Sequence, residues 1–247
     1  MNIEVKDKFL SLWKKYFNDT ELPLAFYYTN EENSAEMTVP GKTPRCVIGA
    51  IASVRKGKSL CFNVDTVGCP GGKRYLGFTE GIMPNFEYFL SSGIPGELEG
   101  ERYCKSPELV KELFDQMPVF KAPGRFIVFK RWDNISDQDE PEVIIFFAEP
   151  DVLSGLFTLY RFDEIDRDIV YAPFGSGCST IVQFPYLEKE ADHPRAVIGM
   201  FDPSARPYVP KNTVTFSFSM KKLLTMIENM EESFLTTDTW RNIQKRM

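Results

Sequence analysis

Ser59-Leu60-Cys61-Phe62-Asn63-Val64 reads as a short apolar strand, and it delivers the chain into Val67-Gly68-Cys69-Pro70-Gly71-Gly72-Lys73-Arg74-Tyr75-Leu76-Gly77-Phe78. Gly71 and Gly72 can take φ > 0 and let a ligand approach the backbone, while Pro70 fixes the backbone just after the thiol. Lys73 and Arg74 bring two cations to the same turn. Strand, glycine turn and following segment is the order that phosphate-cradling loops use, although neither GxGxxG nor GxxxxGK[ST] is present. The arrangement occurs a second time: residues 169–172 read as a strand and run into Pro173-Phe174-Gly175-Ser176-Gly177-Cys178-Ser179-Thr180, with a helix expected over 179–187. A strand, a glycine turn, a cysteine and a helix thus appear twice.

Working outward, Val5, Phe9, Leu12, Trp13 and Tyr16 form a helical stripe over residues 5–17. Residues 22–28 read as a strand that Pro23 pushes toward an edge or a strand start. A long loop is expected over 29–44, and Thr43 as N-cap with Pro44 at the first position opens a helix running to Arg55, which sets Cys46 in a first turn. A short helix is expected over 86–90, and Ser106-Pro107-Glu108 opens another through about residue 117. Residues 126–132 and 143–148 are apolar strands that pair or flank a common strand. The acidic loop between them, 133–142, reads as a solvated face. A helix capped by Asp151 runs to Phe162. Strands at 196–200 and 214–218 follow, then a helix over 220–230 and helical turns around Trp240. This irregular alternation predicts an α+β fold: a single domain with a central mixed β-sheet flanked by helices, with two similar lobes, 1–120 and 121–247, as a further option.

With 247 residues, a net charge of -6 and cations scattered along the chain, the electrostatic footprint of a nucleic-acid binder is missing. No apolar run approaches a membrane span, and the charged N-terminus lacks the apolar region of a signal peptide, so a cytoplasmic protein is expected. Five cysteines without a CxxC pair favour free or ligating thiols over a disulfide framework, and His193 as the single histidine excludes His-rich metal sites. A homo-oligomer is left open.

Cys69-Pro70-Gly71-Gly72 with its continuation Leu76-Gly77-Phe78, the helix-opening Cys46 and the Gly-x-Gly-Cys turn at Cys178 together resemble the family catalogued as domain of unknown function 169. The resemblance spans most of the chain and implies positions rather than a chemistry: Cys46, Cys69 and Cys178, with a further family cysteine falling where this chain has Met200. Cys61 can replace that cysteine only if its strand delivers it to the same side.

Cys46, Cys69 and Cys178 each stand at a turn or in a first helical turn, where unpaired N–H groups stabilise a thiolate, and Arg45, Lys73 and Arg74 add positive charge. Three such thiols can hold zinc or an iron–sulfur cluster, can act as redox or nucleophilic thiols, or can be small buried packers. Cys61 reads as core, and Cys104 and His193 as ordinary loop residues. Gly71, Gly72, Lys73, Arg74, Gly175, Gly177 and Arg206 are the candidate contacts to a small anionic molecule. The functional expectation is a protein that binds such an anion, or a thiolate-held cofactor, where the Cys69 and Cys178 turns converge on one edge of the sheet. An interaction protein displaying exposed aromatics is the competing class, and whether the protein is an enzyme is left open.

Overall fold

The computed structural model describes residues 1–31, 35–37 and 46–247. Its strands are β1 (Leu24–Thr29), β2 (Glu36–Met37), β3 (Leu60–Phe62), β4 (Phe126–Arg131), β5 (Val143–Ala148), β6 (Val170–Tyr171), β7 (Ala196–Gly199) and β8 (Val214–Ser219). They form one mixed sheet in the order β2-β3-β4-β1-β5-β8-β7-β6. The fold is α+β, with the central mixed sheet that the strand and helix pattern predicts.

The order reads alike from both edges. β2 and β3 are parallel and β3–β4 and β4–β1 antiparallel; β6 and β7 are parallel and β7–β8 and β8–β5 antiparallel. β1 and β5 join the two sets, antiparallel, through three residue pairs, Leu24 with Ile145, Ala25 with Ile144 and Phe26 with Val143. β4 and β5 therefore flank a common strand, and β1 is central. Pro23 marks its start rather than an edge, and the Pro23 carbonyl accepts the Trp132 N–H at 2.9 Å.

The described helices are α1 (Ile3–Phe17), α2 (Val47–Arg55), α3 (Pro70–Tyr75), α4 (Phe86–Phe89), α5 (Pro107–Gln116), α6 (Pro150–Arg161), α7 (Phe184–Glu188), α8 (Met220–Asn229) and α9 (Asp238–Gln244). Strand side chains alternate between faces. Ala25, Ile144, Phe146, Phe216 and Phe218 meet α1, α6, α8 and α9 on one face, while Leu24, Phe26, Ile127, Phe129 and Ile145 meet α2, α3 and the segment leading into α7 on the other. The α1 stripe is buried as its spacing predicts from Phe9 to Tyr16, with Val5 half-buried at its start and Trp13 stacked on Phe17 at 4.2 Å. Burying each such ring contributes ~1.5–3 kcal/mol.

Several sequence expectations change. The Pro-Gly-Gly segment is itself the first turn of α3, with Cys69 as N-cap and Pro70 at the first position. Gly71 and Gly72 are not among the glycines at positive φ, because the helix supplies the turn that left-handed glycines were expected to make. α2 begins at Val47 with Cys46 as its N-cap; Thr43, Pro44 and Arg45 lie outside the described residues. The helix after Cys178 opens with a π turn over Ser179–Gln183 before α7. The 133–142 loop is not simply a solvated face, since Asp139 is buried and paired with buried Lys130 at 2.8 Å.

Candidate functional site

The cysteine turns meet around the start of α2. Val47 and Ile48 follow Cys46 directly, and each faces a glycine of another segment. A methyl group added at Gly72 would lie 2.9 Å from Val47 Cγ2, and one at Gly177 would lie 2.8 Å from both Ile48 Cγ1 and Ala205 Cβ. Gly72 and Gly177 are thus close-packing glycines, and their smallness brings the Cys69 helix, the Cys178 helix and the segment after β7 against α2.

Cys69 sits half-buried at its N-cap and accepts the Gly72 N–H on Sγ at 3.4 Å. Cys46 is half-buried and Cys178 buried. Burial pushes the Cys46 thiol up, against the pull of the Gly49 and Ile48 amides at its helix start, with Cys69 and Asp202 adding to the rise. Burial raises the Cys178 thiol well above its ordinary value, helped by Cys46, Cys69 and Asp202. Cys46 and Cys178 thus lie within electrostatic range of Cys69 and Asp202. The expected helix-stabilised thiolates are corrected for Cys46 and Cys178: desolvation outweighs the amide donors, and both are held as neutral thiols. Tyr75, also beside Cys178, Asp202 and Cys69, is pushed up to about 12 mainly by burial.

Asp202 and Tyr75 are the members of this cluster that sequence reasoning did not select. Asp202 is buried; its Oδ2 accepts the Gly177 N–H at 3.1 Å, and its Oδ1 accepts the Ser204 N–H and hydroxyl at 2.9 and 2.8 Å. An Asp-Pro pair directly after a strand is a turn signal, and it was the available clue. Cys61 stands on the opposite face, with Tyr27, Phe126 and Val128, so it does not join the other three. Cys104 lies after α4, its N–H bonded to the Leu90 carbonyl, and His193 is exposed.

The anion-binding candidates have other engagements. The Gly177 N–H is given to Asp202. A methyl group at Gly175 would meet Ser179 Oγ at 2.6 Å, so that turn is filled by its own helix. Arg206 donates to the carbonyls of Thr213, Lys211, Pro210 and Met200 at 2.5, 2.7, 3.2 and 3.5 Å, clamping the loop before β8. At Gly71 an added methyl group would come no closer than 3.5 Å, to the Tyr75 ring, and Lys73 is half-buried on α3. Arg74 points away from the cysteines, its guanidinium 5.3 Å over the Phe114 ring.

Among the described residues no group of three or more histidine, cysteine, aspartate or glutamate side chains is arranged to hold a metal ion. No described helix is long and apolar enough to cross a membrane. No curated protein and no solved structure matches the chain. Residues 14–229, which include Cys46, Cys69, Cys178 and Asp202, match the family model DUF169, described as Uncharacterised ArCR, and the chain belongs to that family.

Proposed function

We propose that the protein holds a thiophilic centre, a zinc ion or an iron–sulfur cluster, on Cys46, Cys69 and Cys178. The observation that supports this is the packing of the three segments that carry these thiols together at the start of α2, where the buried Asp202 carboxylate accepts the Gly177 N–H beside Cys178. Soft thiolates with one carboxylate suit zinc, and thiolates suit a cluster. Because no metal-ready arrangement exists among the described residues, the sulfurs must close on the centre as it binds. Cys46 and Cys178 must also lose their protons to it, so affinity rises with pH. A small anion held by the glycine-turn amides has less support, since Asp202 and the Arg206 carbonyl clamp already use the best donors.

A second role, as an interaction protein, is favoured by exposed Phe174, Phe201 and Tyr208, which flank the Gly175 and Asp202 segments. The deciding measurement is metal and sulfide analysis with an absorption spectrum on anaerobically purified protein. Stoichiometric zinc, or iron with sulfide and a brown colour, lost in Cys69→Ala, is the expected result. A colourless, metal-free and fully folded preparation that takes up neither zinc nor reconstituted cluster overturns the proposal.

A further inference from the structure

α3 begins at Cys69, but its last turn leads elsewhere. Arg74 lines a cleft of about 320 Å³ between α3, α4 and α5, whose apolar walls are Ile82, Phe86, Val110 and Phe114. Phe86 and Phe114 pack edge to face with centroids 5.0 Å apart, and the guanidinium lies over Phe114. One Arg74 nitrogen donates to the Glu80 carbonyl. Nε is sealed from water and so out of a ligand's reach, while Nη2 makes no hydrogen bond and Arg74 no ion pair among the described residues. The acid beside it in the cleft, Glu87, is paired with Lys111 at 3.4 Å, and Asp115 is exposed on the rim.

A guanidinium nitrogen without an acceptor is available to a ligand, and its hydrogen bond to a carboxylate is charge-assisted. The volume lies at the lower end of small-molecule sites, and the four apolar side chains that line it are joined by four charged ones, Arg74, Glu87, Lys111 and Asp115. We infer that this cleft binds a small carboxylate carrying an apolar or aromatic group, with Arg74 as its anchor and Phe86 and Phe114 against its apolar part. The site is separate from the thiol cluster and does not depend on it.

The test is titration of the full chain with phenylacetate and with isovalerate, followed by calorimetry or saturation-transfer NMR. At least one of them saturates a single site below about 10 mM, and its neutral amide analogue binds about tenfold or more weaker. Arg74→Gln, checked for folding by circular dichroism, loses about tenfold or more in affinity. Ile82→Trp, which fills the cleft and leaves the guanidinium in place, loses binding as well. Absence of saturation with both acids, an amide that binds as well as its acid, or Ile82→Trp binding like the unaltered chain overturns the assignment. So does inorganic phosphate matching the better acid in affinity, because a site that needs no apolar group is a different site.

Discussion

Cys178 shows how one residue's surroundings reverse its expected chemistry. At a helix start a thiol should be acidic, yet its burial under α2 and beside Cys46, Cys69 and Asp202 holds it protonated. A raised folded-state value means that the native chain binds the proton more tightly than the unfolded chain. Its stabilising effect is therefore complete below the ordinary thiol range near ~8.5 and is lost as pH climbs toward the raised value. Denaturant midpoints should fall between about pH 8 and 9.5, and the fall should be shallower in Cys178→Ala; equal slopes would show that the thiol does not contribute. Asp139 carries the opposite sign. Burial works to raise its carboxyl, but Lys130, Tyr27 and Ser136 win and hold it below the usual range. Its contribution is present above the ordinary value near ~3.9 and fades as pH drops through the lowered one. Asp139→Asn should cost about 3–5 kcal/mol in denaturant unfolding, because it leaves the Lys130 ammonium buried and unpaired. The Asp139 pairing was not legible in the sequence, because an aspartate in an acidic loop looks exposed until tertiary packing covers it, while for Cys178 the buried reading stood beside the thiolate one and only tertiary packing decides between them. The single lysine inside the apolar run of β4 was the one local hint.

At the scale of elements the sequence carried most of the fold. The α1 stripe, the Ser106-Pro107 start of α5 and the apolar runs of β4, β5 and β8 are local signals, and tertiary packing left them in place. Cys69-Pro70-Gly71-Gly72 reads as a turn in the sequence because two glycines usually break a helix, whereas here Pro70 at the first position and the Cys69 cap start one. The two glycines do different work, and substitution separates them. Gly71→Ala adds a methyl no closer than 3.5 Å to its neighbours, so it should stabilise the chain by about 0.5–1 kcal/mol through helix propensity. Gly72→Ala and Gly177→Ala drive a methyl against α2 and should each cost about 1–3 kcal/mol. Thermal unfolding of the three variants checks this. A neutral Gly177→Ala would mean that α2 and the Cys178 helix do not need their close contact.

Across the whole molecule the sheet reads alike from both edges, and it pairs Cys178 with Cys46 rather than with the Cys69 of the recurring strand, glycine turn, cysteine and helix, because Cys46 and Cys178 each open the helix before the third strand of its set while Cys69 follows β3. The lobes expected to divide at residue 120 meet a pattern whose break falls between Arg131 and Val143, because β4 pairs into the first set. The join between the sets was not legible, since it is a short seam of three residue pairs that a side chain extends. Beyond Phe26, β1 has no further partner in β5. The Tyr28 N–H donates instead to Glu142 Oε2 at 2.8 Å, while Glu142 Oε1 accepts from Lys189 at 2.7 Å and from the Tyr186 hydroxyl at 3.2 Å. Burial disfavours the Lys189 ammonium, yet Glu142 outweighs that and holds it above its ordinary value. Glu142 thus extends a three-pair seam and ties α7 to it. Glu142→Leu strands the Tyr28 amide and leaves Lys189 with the exposed Glu190 carboxylate at 3.1 Å, and it should cost about 1–3 kcal/mol, whereas Glu142→Gln keeps an acceptor and should cost about half as much. Hydrogen exchange localises the effect. The Tyr28 amide should lose protection in Glu142→Leu before the amides of β4 and β8 do, because six residue pairs hold each of those strands to its inner neighbour against three across the seam. Loss of protection spread evenly over all four inner strands would show instead that the two sets open as one cooperative unit.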